Sequence, residues 1–254
     1  MSAFTLKLIA MTTMFIDHIG FQFMDDCFLM RFVGRLAFII YAFLIAESYY
    51  HLREKPERLR VHVGKLLILS LITEVPYDIF EHDVWVDYST QNVVVTLALG
   101  FIALVISRLW YEKWKSNRII SILGCVSICL AAALTSYFIK SEYKFAGVLL
   151  IIMFYYYLQK VDDLKLPIRF IALTLLFTVY FFLYIWSRAQ FGGWAEIDFA
   201  AKTLPSWING TFFAIIPLAV YNRKIGYNSK WFSRLYSVFY PLQFVVLIIA
   251  EYIR

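Results

Sequence analysis

The sequence predicts an all-α fold, a polytopic bundle of about nine helices that cross a lipid bilayer. Of the 254 residues, 61% are hydrophobic and 19% are aromatic, and the mean hydropathy is +0.68. Soluble domains contain about 45–50% apolar residues, so this composition is typical of a membrane protein. Apolar segments of about 20 residues recur along the chain, and this is the length that a helix needs to span a bilayer. We expect a single transmembrane domain over residues 1–254.

The predicted spans are runs of apolar residues separated by charged or turn-forming residues. The first is too long for a signal peptide and has no small-residue cleavage site, so we expect it to remain in the protein. The third and ninth contain Pro76 and Pro241, each of which removes a backbone donor. The connection between the seventh and eighth, Gln190–Trp207, is predicted to be the longest external loop. In order, the spans are 4–24, 32–52, 63–80, 91–111, 118–139, 143–159, 166–187, 206–221 and 232–252.

The loops alternate in charge. The positive-inside rule assigns the loops rich in lysine and arginine to the cytoplasm, with the N-terminus beside them and the C-terminus outside the cell membrane. The net charge of +6 is therefore explained by topology, and no nucleic-acid partner is expected. The stretch Glu81–Asp87 has neither lysine nor arginine. The basic residues fall at positions 53, 55, 58, 60 and 65, at 108, 113, 115 and 118, at 160, 165 and 169, and at 223, 224, 230 and 234.

Three ionisable residues, Lys7, Asp17 and His18, lie in the first predicted span. A charged side chain at the centre of a bilayer costs at least ~2.5–3.5 kcal/mol, so these groups are expected to face the protein interior or a watery cavity. The spacing of Lys7 and His18 is about three helical turns, which places both on one face about 16 Å apart. This arrangement suits a long anionic ligand.

The second span opens with Arg31 and Arg35, one helical turn apart. A single arginine at a helix end is usually an interfacial anchor, whereas a deeper second one favours binding of an anion or of an internal carboxylate. Glu47 lies further along the same helix. Its alternative interpretation is a structural carboxylate that pairs with a basic residue of a neighbouring helix.

Glu74 and Asp78 flank Pro76 in the third span, where a kink and freed carbonyls would let two carboxylates line a cavity. The fourth span begins with Gln91 and Asn92. Hydrogen bonds between helices, worth ~0.6 kcal/mol per contact in membranes, explain this pair equally well.

The remaining candidate groups are interpreted as structural. His51, His62 and His82 lie in or beside loops and are predicted to be solvated. Cys125 and Cys129 are predicted to be small buried residues, and an odd cysteine count argues against a disulfide framework. The sequence contains no nucleophile elbow, phosphate-binding glycine loop or zinc-binding motif, so no metal is expected.

Short blocks of sequence carry a resemblance to a known family. They are Asp17-His18-Ile19-Gly20, Arg31-x-x-Gly34-Arg35 with Phe38, Ala46-Glu47, Glu74-Val75-Pro76-Tyr77-Asp78, Gln91-Asn92-Val93, Thr96 to Gly100, Tyr143 with Gly147, Tyr221-Asn222-x-Lys224-x-Gly226 and Phe239-Tyr240-Pro241-Leu242. In this order they resemble the TraX family of conjugal-transfer pilin N-acetylases, over nearly the whole chain. That family is related to the transmembrane acyltransferases of acyltransferase-3 type, which place a basic residue shortly before a histidine, as Lys7 and His18 are placed here.

The resemblance implies transfer of an acyl group, chiefly acetyl from acetyl-CoA, to an amine or hydroxyl of a peptide, glycan or small molecule at the membrane. His18 matches the presumed catalytic histidine and is predicted to be a general base. The chain departs from the family at Gln243, often a histidine, and at Ser48, often a glycine. Asp17, Glu47 and Asp78 are the predicted carboxylates of the site; Asp17 is poorly placed to orient His18, so Glu47 or Asp78 is favoured for that role.

The residues predicted to bind the acyl-CoA or the oxyanion are Lys7, Arg31, Arg35, Gln91 and Asn92. Two other classes of function stay open. One is a proton-coupled transporter or exporter, whose relay would be formed by Asp17, His18, Glu47 and Glu74. The other is a catalytically silent scaffold.

Overall fold

The computed structural model describes residues 1–24 and 27–254, except for the side chains of 188–209. Within this part the chain is all-α, which confirms the predicted helical membrane bundle. The helices are α1 (Ala3–Phe23), α2 (Phe28–Leu52), α3 (Pro56–His82), α4 (Val93–Trp114), α5 (Arg118–Phe138), α6 (Lys144–Leu158), α7 (Leu166–Phe213), α8 (Ile215–Ala219) and α9 (Lys230–Ile253), with a 3-10 turn at Val161–Asp163.

Six helical segments of the described residues are long and apolar enough to cross a membrane: α1, α2, α4, α5, Leu166–Ser187 of α7, and α9. The apolar helices α6 and Gly210–Ala219 are shorter. The 27-residue α3 is long enough, but Lys65, Glu74 and Asp78 interrupt its apolar sequence. The chain is therefore a multi-pass membrane protein.

Local sequence accounts for where several helices begin. The side chains of Ser2, Asn92, Asn117 and Ser229 cap α1, α4, α5 and α9 by accepting a hydrogen bond from a backbone amide of the first turn. Helix α3 begins seven residues before the predicted span because Pro56 is favourable in a first helical turn. Both α3 and α9 continue through their internal prolines.

The predicted seventh span lies within α7, and the predicted eighth span begins within it. The predicted loop Gln190–Trp207 falls within the range of α7, and its side chains lie outside the described residues. On either side of it, the rings of Phe177 and Phe212 are 6.0 Å apart, so residues before 188 and after 209 pack side by side. The eighth span is interrupted between α7 and α8, where Pro217 has no amide to donate to the preceding turn.

The connections collect at two ends of the bundle. One end, here called the basic end, holds the N-terminus and the connections 53–55, 115–117, 159–165 and 220–229. There the backbone amides of Ala3 and Phe4 donate to the carbonyls of Lys224 and Ile225 at 2.8 and 3.0 Å. Arg108 also donates to Glu54 at 2.8 Å, and this hydrogen bond lowers the pKa of the Glu54 carboxyl.

The opposite end holds Met24 and Cys27 and the connections 83–92 and 139–143. Gln91 and Ser141 form an isolated bridge between two of these connections. Gln22, near the end of α1, donates a hydrogen bond to Glu251, so the C-terminal part of α9 lies at this end too.

Helix α2 is central and packs against α1, α3, α4, α6 and α7. Its closest approach is to α1 at Gly34, where a Cβ atom would lie 2.2 Å from the Cβ of Asp17. Deeper in the core, the ring of Phe43 contacts those of Phe154 and Tyr221 edge to face. The central position of α2 brings its polar residues into the interior.

The three cysteines are free, and Cys125 and Cys129 are half-buried, so the prediction that these two are buried holds only in part. Cys125 donates from Sγ to the Ser107 carbonyl at 3.3 Å. These thiols link α5 to α4 and do not reach the polar interior.

Candidate active site

His18 lies on α1 close to the opposite end, between aromatic rings of two other helices. Its ring centre is 5.3 Å from that of Phe80 on α3 and 4.9 Å from that of Phe244 on α9. The ring is half-buried, and its Nδ1 is buried with no hydrogen-bond partner among the described residues. An imidazole in this setting retains an unused polar atom in an apolar surrounding.

Gln243 of α9 lies beside His18. It is only 2% exposed, and neither its amide nitrogen nor its amide oxygen makes a hydrogen bond of good geometry with a described residue. Buried polar atoms are nearly always paired, so two such side chains together mark a polar pocket. Gln243, the position at which the resemblance leads us to expect a histidine, therefore lies beside His18 of α1.

The charges that act on His18 are those of Asp17, Arg31 and Arg35. Arg31 forms an ion pair with Asp17, with Nη1 and Oδ1 3.2 Å apart. Neither Glu47 nor Asp78, the two carboxylates predicted to orient the imidazole, is among the charges that act on it. Asp17 is the neighbour because α1 and α2 approach closely at Gly34, which holds its carboxylate next to the arginines of α2.

Arg35 lies in a mostly aromatic part of the interior. The groups that act on its charge are Asp17, Glu142 and the hydroxyls of Tyr143 and Tyr184. Tyr143 stacks on Phe38 with a ring separation of 3.4 Å. Arg31 and Arg35 therefore interact with anionic and hydroxyl groups of the protein interior. For Arg35, the deeper of the two, this is the predicted kind of partner.

Sequence reasoning missed two acidic residues of this region. Glu81 interacts electrostatically with Asp17, Arg31 and Arg35, and Glu142 interacts with Arg35. Glu81 lies three residues after Asp78 of one family block, and Glu142 directly precedes Tyr143 of another. These neighbours were the available signal, but only the packing of α3 and the α5–α6 connection brings the carboxylates here.

Glu47 occupies a second polar cluster, nearer the basic end. It is buried, accepts a hydrogen bond from the hydroxyl of Tyr221, and its Oε1 lies 3.8 Å from Nε2 of His51. Lys7 interacts electrostatically with Glu47, and its Nζ lies 4.8 Å from the centre of the Tyr236 ring. The alternative interpretation of Glu47, a carboxylate that pairs with a neighbouring helix, fits this environment.

Lys7 and His18 mark the two clusters on α1, and both contact α9. Lys7 lies over Tyr236, and His18 packs against Phe244. This confirms that the two side chains project from one face of α1. At 1.5 Å per residue they are about 16 Å apart along the helix axis.

The polar residues around the α3–α4 connection form a third, separate group. Asn92 donates to Glu74 and, at 2.9 Å, to the carbonyl of Ser70, while its own oxygen caps α4. Asp78 accepts from the amide of Asp87 at 2.9 Å. Glu74 and Asp78 therefore form hydrogen bonds with different partners, although the two carboxylates also interact electrostatically.

Gln91 has a structural place as well. Its side-chain amide donates to the carbonyl of Thr90 at 3.4 Å, and its backbone amide and carbonyl pair with Lys140 and Glu142. The hydrogen bonds of Gln91 and Asn92 thus join the α3–α4 connection to neighbouring parts of the chain. None of them involves His18. Their predicted role in holding an oxyanion has no geometric support in the described residues.

Of the other histidines, His62 was interpreted wrongly. It is half-buried on α3, with its ring 4.8 Å from that of Phe101 and its Nε2 3.3 Å from Oγ of Ser48. His82 bonds Thr90 at 2.9 Å. Among the described residues, no three histidine, cysteine, aspartate or glutamate side chains are grouped so that they would hold a metal ion.

Comparison with known proteins places this arrangement in a family. A protein of Dichelobacter nodosus, "Probable fimbrial assembly protein FimC, serogroup H1", is 34% identical over 118 residues, 41% of this chain and 46% of that protein. The aligned part is thus less than half of that relative. A protein of Rickettsia prowazekii (strain Madrid E), "Uncharacterized protein RP591", is 24% identical over 253 residues, 95% of this chain and 89% of that protein.

No solved structure matches the chain. The family model described as "TraX protein", in contrast, matches residues 2–251. This range takes in both polar clusters of α1 and the α3–α4 connection, so the shared pattern covers every element of the site. The chain belongs to the TraX protein family.

Proposed function

We propose that the protein is a membrane-bound acetyltransferase that moves an acetyl group from acetyl-CoA to an amine or hydroxyl of an acceptor at the membrane. The observation that carries this proposal is that buried polar atoms of His18 and Gln243 lack hydrogen-bond partners among the described residues, beside the Asp17–Arg31 ion pair. Membership of the TraX family supports the same type of chemistry.

In the proposed reaction His18 acts as the general base. The acceptor nitrogen or oxygen forms a bond to the carbonyl carbon of the thioester, and the imidazole takes the proton that the acceptor loses. The tetrahedral intermediate then expels the thiolate of coenzyme A, which accepts a proton as the C–S bond breaks. The carboxylate of Asp17 favours the positive imidazolium that forms in between.

The positive charges of Arg31 and Arg35 have the opposite effect on the imidazolium but suit an oxyanion. Guanidinium groups at a buried site stabilise developing negative charge more strongly than they would in water. Either guanidinium is therefore a candidate for this role.

We further propose that the protein lies in the cytoplasmic membrane with the basic end in the cytoplasm, where acetyl-CoA is available. The donor would enter there and the acceptor would reach His18 from the opposite end. The fimbrial-assembly name of the Dichelobacter relative supports a subunit of a surface structure as the acceptor. A glycan or a small molecule has the same reactive groups.

The structure gives little support to the alternative of a proton-coupled transporter. Its relay would need Asp17, His18, Glu47 and Glu74 to be connected. They lie instead in three separate clusters, and no hydrogen bond recorded among the described residues joins one cluster to another.

Two measurements on the same protein test the proposal. Purified protein should bind coenzyme A and, with membrane extract as the acceptor, consume acetyl-CoA. Mass spectrometry of cell envelopes with and without the protein should then show a component that is heavier by one acetyl group only when the protein is present. A protein that neither binds coenzyme A nor consumes the thioester would contradict the proposal.

A further inference from the structure

Two arginines share one aromatic ring at the basic end, outside the cluster around His18. The guanidinium carbons of Arg53 and Arg223 lie 4.2 and 4.4 Å from the centre of the Tyr50 ring. Arg53 caps the C-terminal end of α2 directly after Leu52, whereas Arg223 belongs to the connection between α8 and α9. We call these three residues the Tyr50 platform.

The backbone of Arg223 is held in an unfavourable conformation. Its φ is +58°, in the left-handed region that residues other than glycine rarely adopt. Its side chain is nevertheless only 14% exposed and contacts Tyr50, Asp162 and the carbonyl of Leu158. Packing thus fixes this guanidinium at the platform, and such strain is often retained at binding sites.

The acids in direct contact with the two arginines of the platform are exposed. The two guanidinium groups lie within about 9 Å of each other, a distance at which like charges still repel. Glu54 lies 3.7 Å from Arg53, and Asp162 accepts from Arg223. The side chains of Glu54 and Asp162 are 69% and 67% exposed, and exposed ion pairs contribute little to stability. An anionic ligand can therefore replace them easily.

We propose that the Tyr50 platform binds the phosphate groups of the coenzyme A donor. This inference rests on the proposed acetyltransferase function and adds the site that recognises the nucleotide end of the donor. Guanidinium groups match phosphate oxygens with two parallel hydrogen bonds, and stacking on Tyr50 orients their planes in advance. The exposed carboxylates hold the arginines in place until the donor binds.

The platform continues into the polar cluster of α1. Arg223 interacts electrostatically with Glu47, which also interacts with Lys7. From Lys7 the shared face of α1 leads to His18, about 16 Å further along the helix axis. A donor whose phosphates are held at the platform extends its pantetheine arm along this face, with the thioester toward His18.

The test compares two ligands that differ in phosphate content. Calorimetry on the purified full-length protein in uncharged detergent measures the affinity for coenzyme A and for pantetheine, which has no phosphate. Replacing both arginines, Arg53→Gln with Arg223→Gln, should weaken coenzyme A binding at least about tenfold because charge-assisted hydrogen bonds are lost. Pantetheine binding should not change. The matched control is Arg60→Gln, an exposed arginine paired with Glu57, which should leave both affinities unchanged.

A second variant does not depend on how well the double variant folds. Asp162→Asn removes the exposed acid that competes with the ligand for Arg223, so coenzyme A should bind a few-fold more tightly. An unchanged or weaker affinity in Asp162→Asn, or an unchanged affinity in the arginine double variant, would overturn the proposal. An equal loss for pantetheine would do so too, since it would show damage unrelated to phosphate.

The headgroup of an anionic lipid has the same phosphate chemistry. Vesicles of phosphatidylglycerol and phosphatidylcholine therefore serve as a competing probe. If the platform variants weaken phosphatidylglycerol binding but not coenzyme A binding, the site is a lipid site and the inference is wrong. Failure of the wild-type protein to bind coenzyme A at all would instead contradict the proposed function itself.

Discussion

At the scale of single residues, the environment of His18 favours a group that can exchange a proton without keeping a permanent charge. Its neighbours are the rings of Phe80 and Phe244, the amide of Gln243 and the Asp17–Arg31 pair. A cation fixed here would lack the hydration that it needs, whereas neutral imidazole is tolerated and can accept a proton during a reaction.

The first prediction concerns His18→Gln. The glutamine amide still forms hydrogen bonds but does not accept and release a proton near neutral pH. We expect a folded protein that binds coenzyme A normally and transfers acetyl about 10²–10⁴-fold more slowly, which is the usual contribution of a general base. The measurement is the rate of thioester consumption, with the thermal unfolding midpoint as a check on folding.

The matched control is His62→Gln, which changes a half-buried histidine of α3 that hydrogen-bonds Ser48. This variant should keep its transfer rate even if its unfolding midpoint falls. A His18→Gln protein that turns over at nearly the wild-type rate would rule out the general-base role. A similar loss in both histidine variants would point to a general structural effect.

At the scale of helices, the contact between α1 and α2 depends on Gly34. An alanine Cβ here would lie 2.2 Å from the Cβ of Asp17, so the helices would have to separate. We predict that Gly34→Ala destabilises the protein by about 1–3 kcal/mol, the usual cost of overpacking a core. The variant should also lose transfer activity, because separation of the helices moves Asp17 away from Arg31.

Gly64 of α3 supplies the control for this second prediction. No atom beyond the adjacent residues and the nearby backbone of α3 lies within 4 Å of a Cβ placed there, so Gly64→Ala should be neutral or slightly stabilising, as alanine favours helix more than glycine does. Thermal unfolding of both variants in the same detergent measures the difference. Equal midpoints for Gly34→Ala and the wild type would show that α1 and α2 are not closely packed at this point.

Helix periodicity was sufficient to predict which side chains share a face of one helix, but not which side chains of different helices contact each other. The common face of Lys7 and His18 follows from about 100° per residue and is confirmed by their contacts with Tyr236 and Phe244. The partners of Glu47 and Asp78 depend on how helices pack and on a loop amide, and no spacing in the sequence reveals these. His62 was interpreted wrongly because hydropathy begins the third span at residue 63, whereas Pro56 begins the helix.

At the scale of the whole molecule, the two polar clusters lie toward different ends of the bundle. Lys7, Glu47 and the Tyr50 platform lie toward the basic end, and His18 lies toward the end where α1 finishes and α2 begins. In the proposed reaction, a donor that enters from one side and an acceptor that enters from the other would therefore meet along α1. The proposed entry of donor and acceptor from different sides depends on the orientation of this axis.

The last prediction tests that orientation. A reporter enzyme that is active only outside the cytoplasmic membrane should give signal when inserted between Asp83 and Asp87 or fused after Arg254, and none when inserted at Arg53–Lys55. The structure requires both active positions to agree, because the Gln22–Glu251 hydrogen bond and the Gln91–Ser141 bridge place them at one end of the bundle.

An insertion at Asn222–Lys224 should be silent like the insertion at Arg53–Lys55, since the amides of Ala3 and Phe4 pair with Lys224 and Ile225 at the basic end. The inverse pattern would place the basic end outside and remove acetyl-CoA as a donor that reaches it, whereas signal at both ends would contradict the bundle itself.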